Sequence, residues 1–392
     1  MIDAILEDNV DEVISKESLH SKLKSGKNLR IKLGVDPTRP DLHIGHAVVL
    51  KKLRQFQDLG HTVIFLIGDY TTKIGDPSGR SSARPVLSDE EITANTKTYL
   101  DQVGKILDLT KCEVRKNSEW FEKMTFADLL TIVGKVTVAQ VIEREDFKKR
   151  LSQGHDVGIH ELLYPIMQGY DSVELKADVE LGGQDQRLNV LMGRDLQKKY
   201  GQTPQDIVVM PLLIGTDGSK KMSKSEDNYI ALSDSAADMF GKIMSIPDAQ
   251  IENYLNLASD FTVNEISSLL SQMKDGNPRD VKAKLAQNIV KQYHSLESSV
   301  QALDNFDSMF RDKQMPESIK EIKASNSKST IADALVEFGL AQSKSQAQRL
   351  VEQGGVRIDG QVVNDGSTEV EFSKPTVLQV GKLNFVKILP HD

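Results

Sequence analysis

The chain has 392 residues with 57 acidic against 49 basic side chains, and a formal net charge of −8 argues against a protein that grips nucleic acid by bulk attraction. Hydrophobic content of 39% and charged content of 27% belong to water-soluble globular chains, and the length calls for two or three domains. No run approaches eighteen apolar residues, "MIDAILEDNVDEVISKE" lacks the pattern of a secretory leader, and the single Cys112 permits no internal disulfide, so a reducing cytoplasm without a membrane partner is expected.

Along the chain, "LRIKLGVD" (29–36) reads as a strand and "HTVIFLIGD" (61–69) as a more buried one. Between them Val49, Leu53 and Phe56 recur at helical spacing, and Gly60 stands where a helix would stop. Strand, helix and strand in so few residues imply parallel pairing. "ADVELGG" and "IVVMPLLIG" supply later strands, and a helix over 186–200 carries Leu188 and Leu191 on one face with Lys198 and Lys199 at its end. The expectation for 1–230 is a Rossmann-like, doubly wound parallel α/β domain.

From 231 to 318 helical patterns take over. In "NPRDVKAKLAQNIVKQY" Asn277 can cap, Pro278 suits the first turn, and Val281, Leu285, Ile289 and Tyr293 form one stripe. A polar linker is expected at 319–329, followed by a small α+β unit at 330–392 with two short helices and a β-rich end.

Two short motifs carry chemistry. "HIGH" (His43 to His46) falls between the first strand and its helix, where free N–H groups and the helix dipole favour a phosphate and Gly45 admits a close approach. "KMSKS" (Lys221 to Ser225) follows the strand "VVMPLLIG" and the turn "TDG", and lysines on a mobile loop can close over a polyphosphate. Alone, the second motif reads as a solvated surface loop. Paired with the two histidines, it reads as half of a clamp.

These two motifs are the signatures of class I aminoacyl-tRNA synthetases. With "GVDPTRPDLHIGH", "IGDPSGR", "YPIMQGYDSV" and "LGGQDQRLN" in order, the chain resembles the bacterial tyrosyl-tRNA synthetase family over essentially its full length. The resemblance implies L-tyrosine, ATP with Mg²⁺, and tRNA(Tyr) as substrates and partners, no bound prosthetic group, and a homodimer with tRNA crossing between subunits. The segment 125–160 is the expected interface.

It also implies roles residue by residue. Asp76, Tyr164 and Gln168 would surround the substrate ammonium, and Asp171 would accept the phenolic proton. Read as a helix, 164, 168 and 171 share one face. Gln186 would hold the bound amino acid, with Gly183 and Asp185 at the ribose. Thr38 and His43 would meet the leaving phosphates and His46 the ribose side. Asp36, Gly45, Met222, Ser223 and Ser225 complete the ATP site, with Lys221 and Lys224 as the moving cations. Arg80 and Arg84 match basic positions of a neighbouring loop. Lys32 departs from the family, whose better-known branch has a tyrosine there. Tryptophanyl-tRNA synthetase, a small-molecule adenylyltransferase and a non-catalytic RNA-binding paralogue are the rivals. The stretch "YPIMQGYD", the carboxyl-terminal module and the two intact motifs argue against them in turn.

"GLAQSKSQAQRLVEQGGVRIDGQVV" resembles the small RNA-binding module shared by a ribosomal small-subunit protein and pseudouridine synthases, which implies an RNA face of Ser343, Lys344 and Arg349. With 6 basic against 8 acidic residues over 330–392, contact there should be guided by shape.

Overall fold

Six apolar runs pair into one sheet: β1 (Glu12–Ile14), β2 (Arg30–Val35), β3 (Thr62–Ile67), β4 (Cys112–Lys116), β5 (Val179–Gly183) and β6 (Asp206–Met210). The computed structural model describes residues 2–77, 87–310, 320–341, 343–381 and 384–390, so Arg80 and Arg84 lie outside the described residues. The sheet order is β1-β6-β5-β2-β3-β4. All neighbours run parallel except the edge strand β1, which is antiparallel to β6. Three residues are too few to show a period, and β1 left no readable signal in the sequence. Strand order reverses between β2 and β5, and in such sheets ligands bind at the carboxyl ends of the strands beside that reversal.

The crossover from β2 to β3 is the helix Ile44–Asp58, which buries Leu50, Leu53 and Phe56. It ends before Gly60, whose φ of 84° lets the chain turn into β3. The helix Arg187–Lys199 differs from the sequence reading. Its buried face is Asn189, Val190, Gly193, Leu196 and Gln197, while Leu188 is exposed. The cause is close packing against the helix Ile159–Leu175. A Cβ at Gly169 would stand 2.9 Å from Met192 Cγ, and one at Gly193 would stand 2.8 Å from Ser172 Oγ. Two facing glycines set which side of each helix turns inward.

The chain divides into two compact units, Met1–Leu303 and Asp304–Asp392. The first includes the helices Ala236–Ser245, Ile251–Leu257, Val263–Asp275 and Pro278–Tyr293. Asn277 caps the last of these, its side chain accepting from the Arg279 N–H at 3.1 Å, and Val281, Leu285, Ile289 and Tyr293 are buried as the stripe requires. In the second unit, the helices Ile331–Glu337 and Lys344–Glu352 cover a five-stranded sheet around Leu335, Val351, Leu378 and Ile388. The stretch expected as a linker contains two short strands, Lys320–Lys323 and Lys328–Thr330. The first pairs in parallel with Asn384–Leu389 and the second antiparallel with Glu369–Glu371.

Candidate active site

A cavity of about 300 Å³ opens at the carboxyl ends of β2 and β5. It is lined by Asp36, Thr38, His43, Gly45 and His46, by Asp76, Tyr164, Gln168 and Asp171, and by Gly183, Asp185, Gln186 and residues 221–225. Backbone pairing explains how segments far apart in sequence meet. Ile44 N–H donates to Ile230 O at 3.0 Å and Leu232 N–H to Leu42 O at 2.8 Å, so the strand-like stretch after the lysine loop is stitched to the histidine segment.

At this end His43 caps the helix Ile44–Asp58, with its ring centroid 3.8 Å from that of His46. His43 N–H donates to His46 Nδ1 at 3.3 Å, which leaves the proton of a neutral His46 on Nε2. Burial, together with the Lys224 and Lys221 ammoniums, pushes His46 down to about 3. Burial, then His46 and the same lysines, hold His43 well below the ordinary histidine range. Both rings are therefore neutral hydrogen-bond partners at pH 7. Gly45 is needed between them, since a Cβ there would stand 2.9 Å from His43 Nδ1.

The lysine loop faces them. Met222 N–H donates to Leu213 O at 2.8 Å, forming a narrow hairpin that buries the Met222 side chain. Lys221 Nζ meets Asp185 Oδ2 at 2.8 Å. Lys224 Nζ meets Tyr99 Oη at 3.0 Å and lies 5.1 Å from the centre of that ring. Buried Asn228 anchors part of this loop. Its Oδ1 accepts from Ser223 N–H at 2.8 Å, and its Nδ2 donates to Asp217 Oδ2 at 3.0 Å and to Lys221 O at 3.1 Å. A Cβ at Gly215 would fall 2.2 Å from Asn228 Nδ2, so that glycine exists to admit the asparagine.

At the opposite end the helix Ile159–Leu175 presents Tyr164, Gln168 and Asp171 on one face. Tyr164 Oη donates to Asp36 Oδ2 at 2.9 Å, and Thr71 Oγ1 donates to Asp36 Oδ1 at 2.9 Å. Gln186 Nε2 donates to Asp76 Oδ2 at 2.8 Å, with Arg144 Nη2 3.9 Å from the other oxygen. Asp171 is buried and accepts from Trp120 Nε1 at 3.0 Å and Asn117 Nδ2 at 3.4 Å. Burial drives its carboxyl up to about 8, against the pull of Lys32, Asn117 and Trp120 and with a push from Glu180.

The sequence reading missed Tyr99, Asn117, Trp120, Glu180 and Asn228. The first three lie far from their partners in sequence and left no local pattern. Glu180 did leave one: "RIKLGV" and "DVELGG" each place one charge inside an apolar strand, and Lys32 and Glu180 are register partners across β2 and β5. In the second unit, Ser343 caps the helix Lys344–Glu352, its Oγ accepting from Gln346 N–H at 3.3 Å. Lys344 pairs with Asp333 at 2.5 Å. All three expected RNA-face residues are exposed, but five residues separate Lys344 from Arg349, about 140° around the helix. Ser343 and Lys344 sit together, and Arg349 points elsewhere.

The family model for class I tRNA synthetases (W and Y) matches residues 24–311, and the S4 domain model matches 331–374. The tyrosine–tRNA ligase of Thermotoga maritima is 50% identical over 98% of this chain and 96% of its own. That of Carboxydothermus hydrogenoformans is 48% identical over 98% and 97%. Among solved structures, a truncated mitochondrial tyrosyl-tRNA synthetase of Coccidioides posadasii superposes with a TM-score of 0.63 at 26% identity, covering 77% of this chain and 90% of that one.

Proposed function

The chain belongs to the class I tRNA synthetases as a tyrosine–tRNA ligase, and from that premise we propose how its residues divide the work. The enzyme activates tyrosine with ATP to tyrosyl-adenylate and pyrophosphate, then transfers tyrosine to the 3′ end of its tRNA. The attacking group in the first step is the tyrosine carboxylate, already an anion, so no side chain need remove a proton. Positioning and charge stabilisation remain.

We assign the substrate ammonium to Asp76, Tyr164 and Gln168, with Gln186 bracing Asp76, and the phenolic O–H to Asp171. Phenylalanine would leave that buried carboxylate without its partner, a penalty well suited to discrimination. Gly183 and Asp185 take the ribose. Asp36 orients Tyr164 and Thr71 at the junction of the two substrates. Thr38, Gly45 and the neutral His43 and His46 receive the phosphates. Lys221 and Lys224 leave Asp185 and Tyr99 to follow the charge as it moves to pyrophosphate, with Met222, Ser223 and Ser225 fixing the loop that carries them. Mg²⁺ rides on the ATP phosphates and adds neutralising charge there.

The single observation that carries this reading is that one cavity joins both motifs to the Asp171 face of a single helix. Ser343 and Lys344 in the S4 unit, with the helical segment 231–318, are proposed to meet tRNA. A homodimer through 125–160 is supported by Phe126, Leu130, Val138, Leu151 and Ile159, large apolar side chains that are all at least half exposed. No helix among the described residues is long and apolar enough to cross a membrane, and we place the enzyme in the cytoplasm.

Pyrophosphate exchange into ATP, run with each amino acid in turn, tests the assignment. Tyrosine alone should support it. Exchange with tryptophan and none with tyrosine would overturn it.

A further inference from the structure

Lys32 is among the largest wholly buried side chains in the molecule, and it stands at the phenol end of the cavity. An ammonium has three donors, and here all three are used. Nζ meets Glu180 Oε1 at 2.8 Å, Ser172 Oγ at 2.8 Å and Gln168 O at 3.3 Å. The network closes on itself, because Ser172 Oγ donates to Glu180 Oε2 at 2.8 Å and Gln205 Nε2 donates to that same oxygen. Glu180 and Ser172 are as buried as Lys32.

Two consequences follow from this count. Lys32 has no donor left for a substrate oxygen. It instead joins β2 to the turn of the helix Ile159–Leu175 that carries Gln168 and Asp171. We infer that Lys32, locked by Glu180 and Ser172, is a positioning residue for tyrosine specificity: it holds Asp171 in place as the phenol acceptor and does not itself bind the phenol. This rests on the reading of Asp171 given above. The groups facing Asp171 are the Lys32 cation on β2, the Glu180 carboxylate on β5, and the neutral Asn117 and Trp120. Of these Lys32 is the strongest influence drawing the carboxyl down from where burial takes it. Without Lys32, the buried Asp171 would face the Glu180 carboxylate with no cation beside it and would resist ionising more strongly.

The experiment is pyrophosphate exchange from pH 6 to 9 on the full chain, with tyrosine and with phenylalanine. It compares the natural protein, Lys32→Met, and Lys32→Met combined with Glu180→Gln, whose amide oxygen can still accept from Ser172 and Gln205 while both charges are removed. In the natural protein kcat/KM for tyrosine should rise with pH through about 8, as Asp171 ionises. In Lys32→Met that limb should move up by about one pH unit or more, and in the double variant, which also lacks the Glu180 charge, by less. KM for tyrosine at pH 7 should rise about tenfold, with KM for ATP unchanged. A limb that stays in place, or KM values for tyrosine and ATP that rise together, would sink the inference.

Fluorinated tyrosines whose phenols ionise near neutral pH give a second readout that needs no mutant. If Lys32 is saturated as described, affinity falls once the pH passes about 8, where the ionised phenol would face an ionised Asp171. Affinity that keeps rising above that pH would mean the ammonium meets the phenolate directly. Asp171→Ala separates the two claims: an unchanged preference for tyrosine over phenylalanine would remove Asp171 as acceptor, whatever the Lys32 variants do.

Discussion

The two ends of the cavity hold their cations in opposite ways. At the nucleotide end Lys221 and its partner Asp185 keep 36% and 29% of their side-chain surface exposed, whereas at the phenol end Lys32 and Glu180 keep 0% and 2%. An ion pair open to water is cheap to break, and both its members are proposed to gain new partners when ATP arrives. A buried, saturated pair is costly to open and therefore defines a fixed shape and a fixed charge around Asp171. On the proposed reading, one end rearranges during the reaction, and the other stays still and discriminates.

Substitutions at the two ends should accordingly fail in different ways. Lys224→Ala removes a cation proposed to act on the developing pyrophosphate charge. It should lower kcat for adenylate formation by about 10²- to 10³-fold while KM for tyrosine hardly moves. Equal losses in both parameters would mean that the loop acts on binding and not on the transition state. Asp171→Ala should do the reverse: the tyrosine-to-phenylalanine ratio of kcat/KM falls by about 100-fold or more, with KM for ATP retained. Asn228→Ala should cost less than either. It takes the acceptor from Ser223 N–H and two donors from the loop, so hydrogen exchange at the Ser223 amide should accelerate and adenylate formation slow by about tenfold. Protection that persists in this variant would show that the hairpin holds itself.

The same division governs what could be read from the sequence. His43, His46, Lys221 and Lys224 are legible because the nucleotide end is built from short contiguous motifs at the ends of strands. The parallel strands β2, β3, β5 and β6 were legible through their long apolar runs, and the helix Pro278–Tyr293 through its cap and stripe. The phenol end is assembled from single residues on separate elements. Trp120 and Asn117 reach Asp171 only because a short segment after β4 folds beneath the helix Ile159–Leu175, and nothing local to residues 117–120 announces that contact. The face of the helix Arg187–Lys199 was misread for a related reason. Counting leucines finds a stripe, but the packing is decided by Gly169 and Gly193, whose contribution is the absence of a side chain. Motifs record what touches ligand; the scaffold beneath is recorded in pairings that only the fold brings together.

The smallest expected effect probes the resting position of the mobile end. Tyr99 is buried on the helix Asp89–Val103 and offers Lys224 both a hydroxyl at 3.0 Å and a ring face at 5.1 Å. Tyr99→Phe keeps the ring and deletes the hydroxyl, so Lys224 stays near its place but is held less firmly by one hydrogen bond. A contact present before ATP binds and absent afterwards opposes binding by its own strength, and a hydrogen bond to this half-buried ammonium, partly replaced by water when lost, is worth about 0.5–1.5 kcal/mol. Removing it should therefore lower KM for ATP by about threefold, with KM for tyrosine unchanged. If KM for ATP instead rises, Lys224 uses the Tyr99 hydroxyl in the bound state as well, and the loop would be a fixed wall like the phenol end.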